Sequence, residues 1–235
     1  MAKRSVSVGM TRLEKILGGG LLAVYLVILP LGADPMFDLI GKLFGIVISD
    51  GVRNAAYYYI LFALTVVAFG EYLGRSARVM LDHLRTALLS VGLGLVAFYG
   101  LNEIVWRGMK LFDLGRDNLN DQAILTRIGA APYSTVFIVV FLAPVVEEAV
   151  FRGYVFGNLR ETSRAAAYII SGLLFAFLHV WQFVVLNHDF SYLLIMVQYF
   201  VPGLVMAWTF ERSGSLWGSI LLHCTVNALS VWSVM

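Results

Sequence analysis

The sequence predicts an all-α fold, a polytopic transmembrane bundle of about seven spans (six to eight), and three observations carry that prediction. The 235-residue chain is 60% hydrophobic and only 14% charged, whereas soluble domains average about a quarter charged and roughly 45–50% apolar residues. Its mean hydropathy is +0.81. The apolar residues gather into runs close to the roughly 20 that a helix needs to cross a hydrocarbon core about 30 Å thick. The 22 glycines fit the same class, because small residues let membrane helices approach closely. A net charge of only +2 gives no reason to expect nucleic acid, and the lipid bilayer is the first partner implied. The single cysteine, Cys224, lies in an apolar run, so there is no disulfide framework.

Taken in order, the runs near 14–32, 54–71, 86–106, 133–157, 165–187, 190–210 and 214–234 read as spans. The basic start (Lys3, Arg4, Arg12, Lys15) has the look of a signal peptide, but a cut after Ala33 puts Leu31 where a small residue is normally required. The first run is therefore read as a retained span. Residues 35–50 carry Met36, Leu39, Leu43, Ile46 and Val47 at helical spacing with Asp38 and Lys42 between them, the pattern of an interfacial helix. Residues 107–132 hold Arg107, Lys110, Asp113, Arg116, Asp117 and Asp121 and form the longest polar connection. Tyr57–Tyr59 and Trp106 read as interfacial anchors. The pairs Gly153/Gly157 and Gly214/Gly218 read as close-packing faces. His83, and His188 beside Asp189, read as solvated loop residues.

The chain divides into an anchor half, 1–130, and a half rich in polar residues inside spans, 131–235. Lysine and arginine bias in short loops sets orientation. With the N-terminus inside, the inner segments hold Lys3, Arg4, Arg12, Lys15, Arg75, Arg78, Arg85, Arg160, Arg164 and Arg212, ten in all, and the outer ones only Lys42, Arg53, Arg107, Lys110, Arg116 and Arg127. The bias predicts a multi-pass protein with its N-terminus inside, in the cytoplasmic membrane for a bacterial host.

A charge at mid-bilayer costs about 2.5–3.5 kcal/mol on insertion scales, so such residues face the bundle interior and mark function. Glu147, Glu148 and Arg152 lie in the fourth run, His179 ends the fifth, and His223 and Asn227 lie in the seventh. Glu148 and Arg152 are four apart and share a helix face. Glu147 points about 100° away, which leaves it available as a general base. Pro144 removes a backbone hydrogen bond and is expected to kink or open the helix beside the acids. His223 and Asn227 share a face in the same way. At 1.5 Å per residue, Glu147 lies about 15 Å and His223 about 14 Å from the inner ends of their spans, and His179 and Asn227 about 20 Å. No His-Glu-x-x-His, Gly-x-Ser-x-Gly or phosphate-cradling loop is present.

At these residues the sequence resembles the CPBP family of intramembrane proteases, which includes type II CAAX prenyl endopeptidases and bacteriocin-processing or self-immunity (Abi-like) proteins. That family carries Glu-Glu-x-x-x-Arg on one span, Phe-x-x-x-His on a later one and His-x-x-x-Asn on the last. Here these read Glu147-Glu148-Ala-Val-Phe-Arg152, Phe175-Ala-Phe-Leu-His179 and His223-Cys-Thr-Val-Asn227, within residues 133–235. The resemblance implies a helical membrane fold with a conical, water-accessible cavity, and hydrolysis of a peptide bond in a membrane-associated or lipidated protein or peptide. It implies that Glu147 and His179 activate water, that His223 and Asn227 stabilise the oxyanion, and that Glu148 and Arg152 hold the site. The family has been read both as glutamic proteases and as metalloproteases. The preferred expectation is that no cofactor is required. The alternative is zinc held by Glu147, His179 and His223 with a fourth position open, since asparagine is a poor zinc ligand. Two other classes stay open: a non-catalytic scaffold or immunity protein of the same fold, and a proton-coupled transporter using Glu147 and His179 as a relay. The paired repeats of many transporters are absent from the sequence.

Overall fold

The computed structural model describes residues 8–112 and 118–234. These form eight helices: α1 (Arg12–Phe44), α2 (Asp50–Asp82), α3 (Leu84–Leu111), α4 (Leu119–Ala130), α5 (Pro132–Arg160), α6 (Arg164–Asn187), α7 (Phe190–Ser213) and α8 (Leu216–Val234). There is no strand among the described residues. Six helices, α1, α2, α3, α5, α6 and α7, are long and apolar enough to cross a membrane. The seventh expected span is helical as α8, but Ser219, His223, Thr225, Asn227, Ser230 and Ser233 dilute its apolar content, and it lies outside those six.

The expected interfacial helix at 35–50 is not a separate element. Its residues to Phe44 continue α1, which stops where Gly45 adopts a left-handed conformation (φ 65°). Likewise α2 runs well beyond the apolar run 54–71 at both ends. Hydrogen bonding carries a helix into polar sequence, whereas hydropathy marks only its lipid-facing middle.

Ion pairs gather one end of the bundle. Lys15 meets Glu161 (2.8 Å), Arg75 meets Glu14 (2.7 Å), and Glu211 accepts from Arg160 (2.7 Å) and Arg164 (2.8 Å). These contacts bring together the start of α1, the end of α2, the α5–α6 turn and the end of α7. Lys3, Arg4 and Arg116 of the charge bias, and Asp113 and Asp117 of the polar connection, lie outside the described residues. Toward the other end, Arg53 pairs with Asp38 (2.6 Å). There Asn118 caps α4 and accepts from Tyr199 Oη of α7 at 2.8 Å.

The central element is α5, with 67% of its most apolar stretch buried, against 11% for α3. Its Phe151 and Phe156 share one core with Phe69 of α2 and Leu216 and Ile220 of α8. By contrast α3 presents Leu88, Leu89, Leu93 and Val96 outward, and a shallow apolar groove of about 640 Å³ runs along it, away from the polar residues of α5.

The start of α8 is fixed on α2. Leu216 N–H donates to Ser76 Oγ (2.7 Å), Ser215 Oγ to Ser76 O (2.7 Å) and Trp217 Nε1 to Leu73 O (3.0 Å), so orphan donors of a buried helix terminus find partners. The glycine pairs behave differently from expectation. Gly153 packs against Tyr72 and Met10, but Gly157 faces only its own helix. Gly218 lies tight against Ser213, while Gly214 is left-handed (φ 71°) and caps α7. A left-handed cap needs glycine for its backbone, not for helix approach.

At Gly18, α1 packs directly on α5 and α2. A Cβ there would lie 2.5 Å from Tyr154 Cδ2 and 3.0 Å from Phe69 Cζ. These are rigid rings, so Gly18→Val is expected to cost about 1–3 kcal/mol, read as a lower melting temperature in detergent micelles.

Candidate active site

Pro144 shapes the local backbone first. It has no N–H to give, and Ala143 N–H turns back to Ile138 O in a wide π turn over Ile138–Leu142. Val139 O is thereby left without a helical donor, and Asn227 Nδ2 of α8 donates to it at 2.8 Å. The opening expected beside the acids takes this form. A second wide turn, Ala149–Phe156, follows them.

Glu148 and Arg152 form a fully buried ion pair, Nη1 to Oε1 at 2.9 Å, with neither side chain exposed. Arg152 Nη2 also donates to Gly203 O of α7 (3.0 Å), and its guanidinium lies 4.4 Å above the Phe175 ring. Glu148 Oε1 is shared with His223 Nδ1 at 2.9 Å. A carboxylate beside a guanidinium accepts, so His223 Nδ1–H donates. One carboxylate thus joins α5 to α8.

Glu147 has a different setting. Its Oε1 accepts from Tyr25 Oη of α1 at 3.1 Å. Its Oε2 is buried without a hydrogen-bond partner, 3.8 Å from His179 Nε2 and 3.9 Å from His223 Nε2. His179 Nδ1 contacts Phe175 O at 2.8 Å. Since a carbonyl can only accept, the proton is on Nδ1 and the neutral ring turns its Nε2 lone pair toward Glu147. The His179 ring stacks on Tyr199 at 4.4 Å and 19°.

Glu147, His179 and His223 are therefore within 4 Å of one another through Glu147, and Glu148 and Arg152 stand behind His223. Asn227 is engaged with the α5 backbone and retains a second amide N–H. Two side chains at the cluster were not singled out in the sequence. Tyr25 and Tyr199 carry no charge and stand out little in apolar runs; their only signal is a hydroxyl away from a span end. The aromatic run at 57–59 also divides. Tyr57 packs on the core, while Tyr59 and Trp106 are exposed. His83 and His188 are exposed.

The donor types suit zinc but their spacing does not. Ligands about 2.0–2.1 Å from a tetrahedral zinc lie about 3.4 Å apart, and the two Glu147–imidazole distances of 3.8 and 3.9 Å are wider. Among the described residues no group of three His, Cys, Asp or Glu side chains is placed to hold a metal ion.

Residues 129–229 match the family model described as type II CAAX prenyl endopeptidase Rce1-like. This part of the chain is similar to the Rce1-like family. It holds every polar residue of the cluster except Tyr25. Among curated proteins, the chain is similar to "Putative membrane peptidase YdiL" of Bacillus subtilis (strain 168), 31% identical over 122 residues, which is 52% of this chain and 45% of that protein. It is also similar to "UPF0177 protein YxdF" of Lactococcus lactis subsp. lactis (strain IL1403), 29% identical over 91 residues, 39% of this chain and 45% of that protein. The chain thus spans less than half the length of these relatives. No solved structure matches.

Proposed function

We propose that the protein is an intramembrane endopeptidase that hydrolyses a peptide bond of a membrane-associated or lipidated protein or peptide. The observation that carries this reading is the convergence of Glu147 Oε2 on the Nε2 atoms of His179 and His223, inside the Rce1-like segment. A separation of 3.8 Å lets one water at ordinary hydrogen-bond length donate to both Glu147 Oε2 and His179 Nε2. That water keeps a lone pair for the substrate carbonyl carbon. Glu147 takes its proton as the C–O bond forms, then passes it to the leaving amine as the C–N bond breaks. His223, held by Glu148 through its Nδ1–H, and the second amide N–H of Asn227 stabilise the oxyanion. In this reading residues 131–235 are the catalytic core, and the N-terminus lies inside.

The test is cleavage by the purified protein in liposomes, offered fluorogenic farnesylated peptides with CAAX ends and unmodified single-span peptides. His179→Ala is expected to lose cleavage while keeping the wild-type melting temperature. Full activity in that variant would replace this reading with the scaffold one.

A zinc reading has one observation in its favour: both imidazole Nδ1 atoms are held by oxygen acceptors, as in histidines that ligate metal through Nε2. The spacing favours water alone. Purified protein is accordingly expected to carry no stoichiometric zinc and to keep its activity in EDTA. One equivalent of zinc, lost on His179→Ala, would reverse that preference.

A further inference from the structure

The first helix lies outside residues 129–229, which carry the family likeness, yet it reaches the centre of the site. We infer that Tyr25 is a positioning residue for Glu147 and that α1 completes the active site. The inference rests on the reading of Glu147 as the general base.

Three observations support it. Tyr25 is 2% exposed, and its hydroxyl donates to Glu147 Oε1 at 3.1 Å across a sequence separation of 122 residues. Among the described residues this is its one hydrogen bond. Second, Tyr25 sits in the wide π turn Val24–Ile28, a break in helical register of the kind found disproportionately at functional sites. Third, Gly18, about two turns earlier, brings α1 against Tyr154 and Phe69 closely enough for Tyr25 to reach α5, where its ring meets Phe151 at 6.3 Å.

The chemical consequence follows from the two oxygens of a carboxylate. A donor on Oε1 fixes the rotation of the group, so that Oε2 is presented to His179 and His223 and keeps its lone pairs for a proton. Without the donor, Oε1 is a buried acceptor with nothing to satisfy it, and the carboxylate turns to find a partner. A tyrosine that merely filled the core would serve equally well as phenylalanine. A tyrosine that aims the base would not.

Tyr25→Phe in the full-length protein separates these cases. With the reporter peptide that wild type cleaves, kcat is expected to fall about ten- to hundredfold through misplacement of the base, with KM changed less than about twofold. A second measurement needs no substrate. Tyr25→Phe is expected to lower the melting temperature in detergent by roughly 3–6 °C in wild-type background, and by less than half as much in Glu147→Ala, where the partner is gone. An unchanged kcat, or equal melting shifts in both backgrounds, overturns the inference. Failure of the protease reading is a different outcome: wild type cleaves nothing, and the melting cycle alone decides whether Tyr25 and Glu147 are coupled.

Discussion

Glu147→Gln is expected to lower kcat by about a thousandfold, within the roughly 10²–10⁴-fold that a positioned general base contributes, while leaving insertion and melting close to wild type. Glutamine keeps the volume and, through its amide oxygen, an acceptor for the Tyr25 hydroxyl. It replaces Oε2 with an NH₂ group that faces two imidazoles and has no capacity to take a proton from water. The change therefore removes basicity and spares packing. Kinetics on the reporter peptide, with melting followed in parallel, check it. Retention of more than about a tenth of wild-type kcat removes Glu147 from the role of base, and directs attention to His179 alone.

The second large effect concerns architecture. Arg152 is among the largest fully buried side chains of the protein, and its charge is met by Glu148, by Gly203 O and by the Phe175 face. Arg152→Met leaves Glu148 buried with only an imidazole beside it. Breaking a buried pair from one side costs about 3–5 kcal/mol, whereas replacing both partners by apolar groups is often neutral. Arg152→Met is thus expected to lose that much stability in chemical or thermal denaturation, and Glu148→Leu/Arg152→Met to recover most of it. The double variant is nevertheless expected to stay inactive, because His223 has lost the carboxylate that orients it. If the double variant is as unstable as the single one, the pair does more than balance charge.

How much of this was readable from residues alone depends on what a polar group costs in an apolar run. Glu147, Glu148, Arg152, His179, His223 and Asn227 stood out because each is expensive in lipid, and helical rise placed them in one layer of the bilayer. Tyr25 was not legible, since tyrosine is cheap in a span and ordinary near its ends. Nor was the engagement of Asn227 with Val139 O, which depends on a missing proline N–H and a π turn in a different helix. Span ends were misread for a related reason. The runs 14–32 and 54–71 report where lipid contact is strong, but the backbone of α1 and α2 remains helical through Asp38, Lys42, Arg75 and Arg78. Gly214 and Gly218 share a spacing with helix-packing pairs, and only the left-handed backbone at Gly214 shows that one of them is a cap.

The cluster is assembled from α1, α5, α6, α7 and α8, with its earliest and latest contributors, Tyr25 and Asn227, roughly 200 residues apart. At synthesis rates of about 5–20 residues per second, the chain carries its acids for roughly 4–15 s before the imidazole of α8 is made. Until then Glu147 lacks its neighbours on α8, and on the protease reading proposed above the site is incomplete. On that reading, dispersing the groups over separate helices makes hydrolysis wait for the arrival of α8.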